Sequence, residues 1–121
     1  MSMTDSDDIY INLSYIAREF CEIAALKQWQ SYHTPKNLAS AAVVEASELL
    51  AEFQWLTAEQ SYHLSAAKKQ AVAHEMADVM MYLSMLCQQL DIDMMQAIQS
   101  KIEFNKKRFS SQDFTGTGSG E

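Results

Sequence analysis

Three glycines and one proline in 121 residues leave few places where this chain can turn tightly or break a helix. Runs of β-branched residues are equally scarce, which removes the usual material of a sheet. The two cysteines, Cys21 and Cys87, sit at no motif spacing and read as free buried thiols in a reducing cytosol rather than as a disulfide framework. No apolar run approaches the ~20 residues a membrane span needs, and the acidic start MSMTDSDD is no signal peptide. Basic residues are short as well: nine Lys and Arg stand against 16 Asp and Glu, a formal net charge of −7. Nucleic acid and anionic membranes need a basic surface, so neither is an expected partner. A polyphosphate would be repelled too, unless cations intervened.

What is abundant points to helix. Hydrophobic residues make up 48% of the chain, and Ala, Leu, Met, Glu, Gln and Lys dominate it. The expected fold is all-α, one domain with a modest core. Residues 1–8 read as a flexible leader whose Ser6, Asp7 and Asp8 cap a first helix from Ile9 to about Ser31, with Leu13, Ile16, Phe20 and Ile23 as its buried stripe. Thr34 and Pro35 mark the next helix start. Thr57 and Gln60 form a capping box, and Ala66 to Leu90 is a long helix, apolar almost all round from Met76 to Cys87. Such a helix sits at the centre of a bundle or at an oligomer interface. Asp93 and Gln96 cap a fourth helix from Met94 to Phe109, with Met94, Ile98, Ile102 and Phe109 facing the core. The last stretch, 110–121, is expected to be disordered.

Two of these helices carry acids where a core should be. At about 100° per residue, Glu45, Glu48 and Glu52 share a face with Leu38, Ala41, Ala42, Leu49 and Leu56 on a helix expected over Asn37 to Leu56. Glu75 and Asp78 share one with Val72, Val79, Tyr82 and Leu86. An unpaired carboxylate on a buried face is costly and is normally neutralised, paired or metal-bound. The i,i+3 pairs Glu45/Glu48 and Glu75/Asp78 lie about 60° apart on their helices, so antiparallel packing would bring all four together. All-oxygen ligation selects hard cations, Mg²⁺ or Mn²⁺. A di-iron bundle site would want Glu-x-x-His, which none of the three histidines supplies. The natural chemistry is metal-assisted hydrolysis of a phosphoric anhydride. On residues alone a chance pattern in an acid-rich chain stands level with a metal site.

Other residues carry two readings each. His33, Lys36 and Asn37 share one short connection, and a lone loop histidine is more often merely exposed. Trp55 reads first as a core anchor, second as a flat surface for a planar ligand. Lys101, Asn105 and Arg108 form a stripe that is either a solvated face or an anion clamp. His74 and Asp78, at i,i+4, are also within hydrogen-bonding reach.

Glu45-x-x-Glu48 and Glu75-x-x-Asp78, with 26 residues between them, resemble the EXXE…EXXD signature of MazG-like all-α nucleoside triphosphate pyrophosphohydrolases. Three further blocks are similar to the small single-repeat subgroup that includes dCTP pyrophosphatases: Trp29 with Tyr32 to Leu38, Glu48-Leu49 with Phe53-Gln54-Trp55, and Lys101 with Asn105 to Phe109. The likeness covers roughly residues 10–110. Val44 and Ser47 stand where some relatives have Gly, and Ser110 where a Pro often follows.

The resemblance implies a four-helix MazG-type core over residues 9–109, forming a homodimer or homotetramer in the cytoplasm. It implies conversion of (d)NTP to (d)NMP and pyrophosphate, with a dNTP preference of the dCTP type. Glu45, Glu48, Glu75 and Asp78 would hold Mg²⁺, with Mn²⁺ as a substitute, and Glu48 would take the proton of the attacking water. Glu52 would be an outer ligand or orient the others. Lys101, Asn105 and Arg108 would hold the phosphates, and His33, Lys36, Asn37 and Trp55 the rest of the nucleotide. Two rival readings remain: a non-catalytic helical interaction module with an acidic patch, and a phosphohydrolase acting on a non-nucleotide pyrophosphate.

Overall fold

A computed structural model describes residues 12–111. The expected leader, its caps and residues 112–121 lie outside the described residues. Four α-helices and two short 3-10 turns make up the described chain, with no strand. It divides after Asp91 into two compact units.

In the first unit, α1 runs Leu13–Leu26. It begins at Asn12, whose side chain accepts a 2.9 Å hydrogen bond from the Tyr15 N–H, rather than at Ile9. It also stops five residues short of Ser31. Gln28 takes the left-handed conformation (φ 59°), and Trp29 N–H reaches back 2.8 Å to Ala24 O. This closure usually employs Gly or Asn, so no residue type announces it here. The buried stripe is Ala17, Phe20 and Ala24 with Cys21 beside it; Ile23 is exposed. The two alanines hold the stripe narrow and leave Phe20 as the one large α1 side chain in the core.

Gln30–Tyr32 forms a 3-10 turn before α2, Pro35–Ala51. Thr34 caps α2 by accepting from Asn37 N–H at 3.2 Å, and Pro35 fills the first position, as expected. The helix ends at Glu52, not Leu56, and the chain passes through turns to the Thr57/Gln60 box. There both reciprocal bonds form, at 2.9 and 3.1 Å. Next comes α3, Ala66–Leu90, capped by Ser65 and closed by left-handed Asp91. It packs against both α2 and α1. Leu38 and Met85 are buried together with Ala17 and Phe20, and Met81, Tyr82 and Leu86 pack around them. Ser84, the one buried polar side chain among the described residues, returns its hydroxyl to Met80 O at 2.8 Å.

The second unit holds α4, Met94–Ser111. Gln96 N–H donates to Asp93 Oδ1 at 3.1 Å, the expected cap. Ser110 and Ser111 continue the helix beyond its expected end at Phe109. The expected core stripe is not buried: Met94 is half-buried, while Ile98, Ile102 and Phe109 are exposed.

Candidate metal centre

Because α2 and α3 pack on each other, the residues of one acidic face meet those of the other. Carboxylate oxygens of Glu45, Glu48 and Glu75 all lie within 4.8 Å of one another. Asp78, the fourth expected ligand, is not part of that trio, although its charge acts on Glu45. Glu45, Glu75 and Asp78 are half-buried, and Glu48 is exposed. The cluster is therefore walled by helix on one side and open at Glu48 on the other.

Electrostatics register this crowding. Burial first, then the charges of Glu48, Asp78 and Glu75, push the Glu45 carboxyl up from 4.5 to about 7. Tyr82 is raised for the same reasons, burial first and then Glu45 and Asp78. One oxygen of Glu75, Oε1, is buried without any hydrogen-bond partner. A buried acceptor normally has one, and a divalent cation is the partner that the neighbouring acids would share with it.

The other expected residues are placed unequally. His33 does not stand free in solvent. Its ring centroid lies 5.5 Å from Phe20, 6.3 Å from Trp29 and 6.5 Å from Tyr82, and its Nδ1 is buried without a partner. Asn37 donates from Nδ2 to Tyr32 O at 2.9 Å and so fastens the connection to α2. Lys36 is exposed on the first turn of α2. Trp55 is 86% exposed, which removes the reading as a core anchor. Glu52 is engaged by Lys68, whose Nζ sits 3.1 Å from Glu52 Oε1. His74 pairs with Gln70 at 2.8 Å rather than with Asp78. Within α4, Lys101 lies 4.8 Å above the Phe104 ring and Arg108 5.1 Å above Phe109, while Asn105 is half-buried.

Comparison with known proteins decides the relationship. The profile of the MazG-like family matches residues 41–118, which include all four acids. The chain belongs to the MazG-like family. It is 34% identical over 99 residues to dCTP pyrophosphatase 1 of Homo sapiens, a match covering 80% of this chain and 58% of that protein. The Rattus norvegicus protein of the same name is 35% identical over 99 residues, with the same shares covered. The chain thus spans 58% of the length of these relatives. A crystal structure of a pyrophosphatase from Archaeoglobus fulgidus superposes with a TM-score of 0.73 at 31% identity, covering 84% of this chain and 98% of that one.

Two residues of this MazG-like chain have surroundings that the sequence reading did not assign, although it placed Tyr82 on the acidic face of its helix. Tyr82 sits one turn beyond Asp78 and stacks edge-on against Phe20, with centroids 5.1 Å apart. It belongs to the aromatic group of His33 and Trp29 and, through the upward shift of its hydroxyl, to the surroundings of Glu45 and Asp78. Its i,i+4 position after Asp78 was the available signal. Lys68 was the second, one heptad before Glu75.

Proposed function

We propose that this chain is a Mg²⁺-dependent nucleotide pyrophosphohydrolase that converts (d)NTP and water to (d)NMP and pyrophosphate, preferring deoxynucleotides of the dCTP type. The observation that carries the reading is the meeting of Glu45, Glu48 and Glu75 from two helices within 4.8 Å, with the charge of Asp78 acting on Glu45. The names of the similar proteins support the reaction class, and dCTP in those names supports the substrate preference.

The donor set suits Mg²⁺ or Mn²⁺: all oxygen, with one acceptor still unpartnered. When bound, the cation supplies Lewis acidity and offsets the negative charge of the triphosphate. Glu45, Glu75 and Asp78 are the half-buried holders. Glu48, the most open of the four, takes the proton from water as it adds across the α–β anhydride. Each turnover breaks that one P–O bond and leaves the pyrophosphate intact. Lys101, Asn105 and Arg108 keep the role of phosphate contacts on the sequence pattern. His33, with Phe20, Trp29 and Tyr82 beside it, offers flat surfaces to a base, and exposed Trp55 offers another.

Val43, Val44 and Leu50 on α2 and Ile98, Ile102 and Phe104 on α4 are exposed apolar side chains in numbers unusual for a monomer. They support a homodimer or homotetramer. Two cysteines at no motif spacing support a cytoplasmic setting, and no described helix is long and apolar enough to cross a membrane.

The test is a panel of NTPs and dNTPs with Mg²⁺, scored separately for pyrophosphate and orthophosphate. Pyrophosphate from dCTP above the other substrates is the expected result. Orthophosphate release, or no turnover across the panel, overturns the proposal.

A further inference from the structure

Lys68 occupies a place that local helix physics disfavours. It lies in the first turn of α3, where the macrodipole favours acids over cations. Yet it is held at both ends. Its backbone N–H donates to Ser65 Oγ at 3.1 Å, and its ammonium donates to Glu52 Oε1, also at 3.1 Å, across the α2–α3 contact.

The position of this pair in the interface is what gives it meaning. Glu52 follows Glu45 by seven residues and Lys68 precedes Glu75 by seven, two helical turns in each case. In an antiparallel helix pair, Glu52–Lys68 is therefore the layer next to Glu45–Glu75. The acidic layer is like-charged and drives the two helices apart while no cation holds it. The neighbouring layer is one of opposite charge, and it is the only ion pair joining the two helices among the described residues. A pair this exposed adds little to overall stability. Its effect is local: it fixes where the acids of α2 stand opposite those of α3.

We infer that Lys68 is a positioning residue for the carboxylate site, its ion pair with Glu52 setting the register in which Glu45, Glu48 and Glu75 converge. The inference rests on the metal reading proposed above. It also gives Glu52 a part distinct from ligation, because its Oε1 is already taken by the ammonium.

Charge complicates the obvious single substitution. Lys68→Met removes a cation and frees the Glu52 carboxylate, which by itself would draw a metal ion in. The double variant Glu52→Gln/Lys68→Met removes the pair with no change in net charge and isolates the positioning effect. Mn²⁺ binding is measured by titration calorimetry well below the melting temperature for the wild type, this double variant and Lys68→Arg. Far-UV circular dichroism confirms that each is folded.

The double variant is expected to bind Mn²⁺ roughly tenfold more weakly. Lys68→Arg should bind like the wild type. A role confined to general stability would lower the melting midpoint and leave the Mn²⁺ affinity unchanged; that result overturns the inference. Wild-type protein that binds no Mn²⁺ at all overturns the metal reading itself and this inference with it.

Discussion

Asp78 on α3 stands close enough to Glu45 on α2 for its charge to raise the Glu45 carboxyl, after burial and the charge of Glu48. The pH behaviour of the site follows from that crowding.

Glu45 titrates at about 7 in the folded chain against 4.5 ordinarily, so between those values the folded chain holds a proton that the unfolded chain has released. Stability from this group is present at low pH and is lost as pH rises through that window. In chelator, the melting midpoint of the wild type should fall from pH 5 to pH 8 more steeply than that of Glu45→Gln. Mn²⁺ affinity should rise over the same interval, because the proton must leave before the ion can enter. Parallel pH dependence in the two proteins would show that Glu45 is not the group responsible.

Glu48→Gln should reduce pyrophosphate release from dCTP by at least about a hundredfold, the usual scale for losing a proton-transferring group. Melting of the metal-free protein should be unchanged or slightly raised, since the Glu48 charge presses on Glu45. Near-wild-type turnover by the Glu48→Gln enzyme would return the role to another carboxylate.

Phe20→Ala should cost about 3–5 kcal/mol of stability. Phe20 is 6% exposed and carries both His33 and Tyr82 on its ring. Urea unfolding with tryptophan fluorescence measures the loss. A cost below about 1 kcal/mol would mean that the aromatic group is not part of the core.

Trp55→Ala should leave the melting midpoint where it is, because the side chain is 86% exposed and surface changes usually stay within about 0.5 kcal/mol. Its KM for dCTP should rise severalfold if the ring lies against the nucleotide. An unchanged KM would favour the phosphohydrolase whose substrate has no base.

Saturating Mg²⁺ with a nonhydrolysable dCTP analogue should raise the melting midpoint, since a ligand of the folded state alone must stabilise it. No shift would favour the interaction module.

The sequence showed the helices best where side chains announce their ends. Thr34-Pro35 opened α2 and the Thr57/Gln60 box formed as read, while α3 spans Ala66–Leu90 as expected. The end of α1 was hidden because Gln28 adopts a left-handed backbone with nothing in its side chain to mark it. The end of α2 was hidden because an apolar period continued through Phe53 and Leu56 after the helix had stopped. The meeting of Glu45, Glu48 and Glu75 was legible because spacing and face are local properties that packing preserves; the place of Asp78 outside that trio was not. The surroundings of His33 were not, since they depend on Phe20 and Tyr82, distant in sequence. Likewise nothing near Lys68 in its own helix announced its partner 16 positions earlier.

Gln28 has one more effect. By turning the chain sharply after α1, it returns Trp29 and His33 toward Phe20, and Asn37 then ties that corner to α2 through Tyr32. The rings of the corner and the acids of the α2–α3 seam are thus moored by separate fastenings, with Tyr82 packed against the rings and within the field of the acids. Substitutions at Trp29 can reshape one without unsettling the other, whereas any exchange at Tyr82 must be tolerated by both.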